Sequence, residues 1–153
     1  MHFQKVQPDA IPMALLLEAD PCEAMIDRYL STAQCFVANV DNDDEDNAIV
    51  AVCIVQLLEQ RSAEIVNMAV TPSEQGKGIG SRLLRFMLNQ MKEAGISRIE
   101  LGTGSFGPAL AFYQRAGFRV ESVVRDYFLT HYNEPIFEDG IQHKDQLRLT
   151  IDL

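Results

Sequence analysis

Hydrophobic positions recur along this chain in two rhythms, and the alternation between them sketches one mixed α and β domain. Ile79, Leu83, Leu84, Phe86, Met87 and Met91 fall at helical spacing, which predicts an amphipathic helix over 78–94 that Gly95 ends as a C′ residue. β-rich runs at 3–6, 34–40, 48–57, 63–70, 98–102, 118–128 and 147–153 read as strands. The pair at 34–40 and 48–57 flanks an acidic run and predicts an antiparallel hairpin. Residues 8–19 and 22–30 read as two helices, with Asp20 as N-cap and Pro21 in the first turn of the second. A further helix is capped by Ser105, carries Pro108 in its first turn and stops at Gly117. No repeat, low-complexity linker or domain boundary interrupts 1–153, so a single α+β domain is expected.

A chain of 153 residues with 47% hydrophobic content suits one domain with one sizeable core. No apolar run approaches the ~20 residues that cross a bilayer, and the start, Met1-His2-Phe3-Gln4-Lys5, lacks a signal peptide's apolar stretch. Three cysteines (Cys22, Cys35, Cys53) show neither an even count nor metal-ligand spacing, which predicts a reduced, cytoplasmic protein. His2, His131 and His143 show no ligand spacing either, so no metal is expected. A net charge of −9 argues against nucleic acid or an anionic membrane as partner and mildly favours an amine. Much of that charge sits in the run 41–47, which reads as a solvated hairpin loop. As a calcium loop it lacks the mid-loop glycine and the closing glutamate.

The most informative stretch is Gln75-Gly76-Lys77-Gly78-Ile79-Gly80-Ser81, set between a predicted strand and the long helix. Alternate glycines allow a tight turn and leave backbone N–H groups bare of Cβ atoms. Those groups open a helix whose first turn has unpaired donors and a partial positive charge, a ready anion site. The P-loop pattern is excluded, since Lys77 precedes Gly78 and the required spacing is absent. The dinucleotide fingerprint is weak: Ser81 stands at its third glycine, and the loop lies mid-chain rather than in an opening βαβ unit. On these residues alone, a phosphate site and a plain glycine-rich turn stay equally open.

The wider context resembles one family. Gln75-x-x-Gly78-x-Gly80 is similar to the Gln/Arg-x-x-Gly-x-Gly/Ala signature of the GNAT N-acetyltransferases, and Met68-Ala69-Val70-Thr71-Pro72 leads into it as the family's strand does. Downstream, Ala109-Leu110-Ala111-Phe112-Tyr113-Gln114-Arg115-Ala116-Gly117-Phe118 resembles the family's second motif, Ala-x-x-Phe-Tyr-x-x-x-Gly-Phe. The resemblance covers about 48–118. It implies a mixed central sheet of six to seven strands, flanked by helices, in which two parallel strands splay apart and admit acetyl-CoA. It implies that Gln75, Gly76, Lys77, Gly78, Ile79, Gly80 and Ser81 hold the pyrophosphate, and that the backbone of Met68, Ala69 and Val70 pairs with the pantetheine arm. A homodimer is compatible with it.

The implied reaction moves an acetyl group to an amine by direct attack. Tyr113 is the implied general acid, because a phenol with a pKa near 10 can protonate a departing thiolate at neutral pH. Glu64 lies eleven residues before Gln75, the offset of the glutamate base in the histone-acetylating branch. It reads as a base, as one end of a water chain, or as a solvent-facing strand residue. The family often places an asparagine seven residues before the tyrosine, where this chain has Phe106; Thr103 and Ser105 offer polar contacts instead. The segment 127–140, with Tyr127, Phe128, His131, Tyr132, Asn133, Glu134, Phe137, Glu138 and Asp139, reads either as an acceptor-selecting loop or as an irregular connection. The acceptor is a small-molecule or peptide amine. The competing reading is a domain that binds acyl-CoA without turnover, as a sensor or regulatory module.

Overall fold

The structure, a computed structural model, describes residues 1–41 and 48–153. The expected acidic hairpin turn and the discounted calcium loop fall at 42–47, outside the described residues. In chain order the elements are β1 (His2–Val6), α1 (Met13–Ala19), α2 (Glu23–Leu30), β2 (Gln34–Val40), β3 (Ala48–Leu57), β4 (Ser62–Val70), α3 (Ile79–Glu93), β5 (Arg98–Gly104), α4 (Pro108–Arg115), β6 (Arg119–Val124), α5 (Tyr127–His131), β7 (Phe137–Glu138), β8 (Ile141–Gln142) and β9 (Gln146–Asp152). A 7-stranded sheet in the order β1-β2-β3-β4-β5-β9-β6 forms the middle layer, and β7-β8 is a separate hairpin. The expected α+β class and strand number stand.

Alternation along the strands divides the interior between the two faces. Phe36, Ala38, Cys53 and Val55 pack with Ile79, Leu83, Leu84, Met87 and Met91 of α3 and with Tyr113 and Phe118. Cys35, Val37, Val52 and Ile54 pack instead with Ile11, Leu15, Leu16 and Ile26 beneath α1 and α2. Each fully buried aliphatic side chain on α3 stabilises the fold by roughly 1.5–3 kcal/mol. α3 stops in a Schellman motif, with Ile96 N–H donating to Met91 O at 3.0 Å and Gly95 at φ +89°.

One sheet feature sets up the site. β4 and β5 are parallel, and they pair only from Ser62↔Arg98 to Ile65↔Leu101. Beyond Ile65, β4 continues to Val70 against β3 alone, through Asn67↔Ile54, Met68↔Cys53 and Val70↔Ala51. A β-bulge leaves Val66 opposite no β3 residue and bends β4 at the level where the parallel pairing ends. The two strands therefore splay as expected.

Four expectations need correction. The helix over 8–19 is split: Pro8–Ala10 forms a single 3₁₀ turn, and α1 starts only after Pro12, because the residue before a proline disfavours helical backbone and Ile11 is extended. Asp20 does not cap α2, whose N-cap is Cys22; it follows α1, and its Oδ1 accepts Cys22 N–H at 3.3 Å. Ser105 does not cap α4, whose N-cap is Gly107 at φ +105°. The strand over 118–128 ends at Val124, where Asp126 (φ +61°) turns the chain into α5, its N–H held by Asp145 Oδ1 at 2.9 Å.

Candidate active site

A cleft of about 770 Å³ opens where β4 and β5 part. One end is walled by Val70, Gln75, Gly80 and Phe112, the middle by Asn67, Met68, Thr103 and Tyr113, and the far end by residues of α1, α2, α5 and β9. The size and the mix of apolar walls with a few polar groups are those of a ligand site.

At the loop end, a 3₁₀ turn at Pro72–Glu74 leads into Gly76 (φ +78°) and Gly78 (φ +79°), both left-handed. A Cβ on either would meet nothing within 4 Å, so glycine is required by backbone conformation and the loop's outer side stays open. Gly80 differs: a Cβ there would lie 3.3 Å from Val70 Cγ2 and 3.5 Å from the Phe112 ring, so its bareness serves the packing of α3 on β4 and α4. Gly78 is the N-cap of α3 and no side chain caps that terminus. Gln75 Nε2 donates to Val70 O at 3.0 Å and ties the loop to the strand end, while Lys77 Nζ pairs with Glu74 Oε2 at 3.0 Å. Ile79 is buried in the core and Ser81 is exposed on the first turn. Uncapped first-turn donors beside an open, left-handed loop fit a pyrophosphate, and the β4 edge at Met68, Ala69 and Val70, unpaired with β5, fits an amide-bearing arm.

Tyr113 reaches the cleft from α4. Phe112 and Phe118 hold its ring edge-to-face at centroid distances of 5.1 and 5.7 Å. Burial, with a smaller contribution from the nearby Cys53, pushes the phenol well above its ordinary value of 10, so it keeps its proton at neutral pH. Burial likewise pushes the Cys53 thiol up, and the Cys35 thiol up to about 11, which leaves both unreactive.

Glu64 lies on the cleft wall, beside Glu100 in the parallel register. Arg148 of β9 joins the two carboxylates, its Nη2 standing 2.8 Å from Glu64 Oε2 and 3.0 Å from Glu100 Oε1. Sequence reasoning missed Arg148, whose pairing spans β4, β5 and β9. It missed His143 as well. That ring, 8% exposed, stacks on Phe106 at 4.1 Å and pairs through Nε2 with Glu138 Oε1 at 3.0 Å. Phe106 thus packs a histidine where the family often has an asparagine. Gly102 and Gly104 of β5 leave room for the side chains of Gln146 and His143, which a Cβ at either would overlap. Thr103 lines the cleft and Ser105 lies exposed outside it.

The far end is aromatic and acidic. Tyr127, Phe128, Tyr132, Ile136, Phe137 and Glu138 line it, and the hairpin β7-β8 turns through Asp139 and Gly140, both at positive φ. His131, Asn133, Glu134 and Asp139 are exposed and outside the cleft wall.

Comparison with known proteins places this geometry. Residues 7–118 match the profile of the Acetyltransferase (GNAT) family. The uncharacterized N-acetyltransferase YvbK of Bacillus subtilis (strain 168) is 39% identical over 140 residues, 91% of this chain and 87% of that protein. The solved structure of an IAA acetyltransferase from Bacillus cereus ATCC 14579 is 38% identical, with a TM-score of 0.89 over 99% of both chains. A GNAT family acetyltransferase from Elizabethkingia anophelis, solved with acetyl-CoA bound, is 31% identical, with a TM-score of 0.90 over 99% of this chain and 97% of that one. Among the described residues no helix is long and apolar enough to cross a membrane.

Proposed function

The chain belongs to the GNAT acetyltransferase family, and from that premise we propose that it is an acetyl-CoA-dependent N-acetyltransferase acting on an amine by direct attack. The observation that carries this reading is a convergence in one cleft: Gln75 and Gly80, which flank the uncapped α3 terminus, the β4 edge left unpaired by β5 and a buried, protonated tyrosine all line it. When bound, acetyl-CoA supplies the activated acyl group as a thioester. The loop Gln75–Ser81 would hold its pyrophosphate through backbone N–H groups, and Met68, Ala69 and Val70 would align its pantetheine arm.

Tyr113 is assigned as the general acid. Its ring is fixed by two neighbouring aromatics, so the hydroxyl is presented without rotamer search, and its raised pKa keeps the proton on the phenol at neutral pH, where a departing thiolate can take it. Glu64 is assigned to receive the acceptor's proton, directly or through water. Arg148 fixes the carboxylate's position from β9, so the acceptor meets a group already oriented. Among the described residues no cysteine lines the cleft, and Cys53 and Cys35 are buried thiols, which favours attack in a single transfer. The test is turnover of acetyl-CoA across a panel of amines with wild type and Tyr113→Phe. Acetylated product in the first and its loss in the second support the reading; product formation unaffected by the substitution removes Tyr113 from the chemistry.

A further inference from the structure

Asp20 is out of place for an ordinary surface carboxylate. It follows α1, is 8% exposed, and lines the cleft at its far end. Its Oδ1 accepts Cys22 N–H at 3.3 Å and the Tyr132 hydroxyl at 3.1 Å, and the Tyr29 hydroxyl lies nearby. No basic side chain of the described residues pairs with it. Burial raises its pKa and the hydrogen bonds only partly oppose that, so a cationic partner would stabilise the charged carboxylate here.

The network continues to the splayed strand. Asn67 of β4 donates from Nδ2 to Leu16 O at 2.9 Å and to the Tyr29 hydroxyl at 3.0 Å. Because the Leu16 carbonyl can only accept, the amide orientation is fixed and Oδ1 is the other atom. That Oδ1 is buried with no hydrogen-bond partner among the described residues, in a side chain 4% exposed on the cleft wall next to Met68. An orphaned buried acceptor of this kind calls for a donor from a ligand.

Charge around the cleft points the same way. Glu18, Asp20, Glu64 and Glu138 line it, and Arg148 is the only lysine or arginine among its described lining residues. Arg148 is already engaged by Glu64 and Glu100. Among its described lining residues no lysine or arginine beyond the engaged Arg148 is present for a substrate carboxylate, several anions are present for a substrate ammonium, and the rings of Tyr29, Phe128 and Tyr132 add faces that attract cations.

We propose that Asp20, with Tyr29 and Tyr132, is an ammonium site that selects acceptors bearing a second positively charged nitrogen, namely short aliphatic diamines and their longer homologues. This rests on the acetyltransferase reading. The acceptor's reacting amine donates an N–H to Asn67 Oδ1 beside Met68, and its distal ammonium seats on Asp20. Tyr29 stands between the two anchor points, its hydroxyl accepting Asn67 Nδ2 at 3.0 Å and lying beside Asp20, so a short aliphatic diamine can span them.

The experiment compares kcat/KM for 1,4-diaminobutane, n-butylamine and 4-aminobutanoate in wild type and Asp20→Asn. Asparagine keeps an acceptor for Cys22 and Tyr132 and removes the charge, and thermal melting checks that the variant folds. The wild type is expected to favour the diamine over n-butylamine by about 10- to 100-fold, with 4-aminobutanoate poorest, and Asp20→Asn to collapse that ratio toward one. A wild-type ratio near one, or a ratio unchanged in the variant, overturns the proposal. Should no amine be acetylated, calorimetric titration with 1,4-diaminobutane separates the two claims. Binding that disappears in Asp20→Asn upholds the ammonium site and places the failure in the acetyltransferase reading, whereas absence of binding by wild type overturns the site.

Discussion

Two glycines at opposite ends of α3 provide a matched pair for testing the pyrophosphate loop. Gly78 opens the helix at φ +79° and Gly95 follows its end at φ +89°, and a Cβ on either would meet nothing within 4 Å. Alanine at each therefore causes no clash, only the left-handed backbone penalty of about 1–2 kcal/mol. Loss of chain entropy in the unfolded state offsets about 0.4–1 kcal/mol of that, leaving a net cost near 1 kcal/mol and a drop in Tm of roughly 2–4 °C for a domain this size. The two variants should match in melting temperature and differ in ligand binding. At Gly78, relief of the strain re-aims the loop N–H groups, and the new methyl projects on the open side. Loss of one charge-assisted hydrogen bond is worth about 1.5–3 kcal/mol, or about 10- to 100-fold in affinity. Isothermal titration with acetyl-CoA should show that loss in Gly78→Ala and wild-type affinity in Gly95→Ala. Equal affinity in Gly78→Ala and wild type, or an equal loss in both variants, refutes the assignment of the loop.

Tyr113→Phe retains the ring contacts to Phe112 and Phe118, so Tm and acetyl-CoA affinity should hold while kcat falls by ~10²–10⁴-fold; a normal kcat reduces Tyr113 to packing. Since burial raises the Tyr113 pKa and the general acid works protonated, kcat at saturating free amine should persist through about pH 10, the ordinary tyrosine value, and decline only above it; a limb at the ordinary value would contradict the upward shift that burial imposes. Glu64→Gln is nearly isosteric and should lower kcat/KM near neutrality, with partial recovery at high pH where free amine is abundant. A profile parallel to wild type would mean that Glu64 positions the acceptor by charge, and undiminished activity would remove it as base.

The parts of this protein that were legible beforehand are those encoded within a few residues. Helical spacing from Ile79 to Met91 and the glycines that bound it defined α3, and the Phe112-Tyr113 and Gly117-Phe118 pairs marked α4 and its stop. What escaped was decided by distant partners. Asp20 looked like a helix cap because Asp-Pro is a strong local signal, yet its hydroxyl donor Tyr132 lies 112 positions away. Glu64 reads from sequence as a base, a water-chain end or a solvent-facing residue, and only the fold shows Arg148 of β9 reaching past β5 to meet it. The strand over 118–128 was broken by Asp126, whose left-handed turn is held by Asp145, and nothing in Val123-Val124-Arg125 announces that contact. Local pattern located the glycine-loop end of the cleft, and tertiary contacts shaped its aromatic, acidic end.

The most direct measurement is incubation of the pure protein with acetyl-CoA and a panel of primary amines, following free CoA thiol and acetylated amine by mass in the same reaction. Acetyl-transfer chemistry requires the two to appear in equal amounts, with wild type well above Tyr113→Phe. Tight acetyl-CoA binding with neither product across the panel would contradict it and mark the domain as an acyl-CoA sensor.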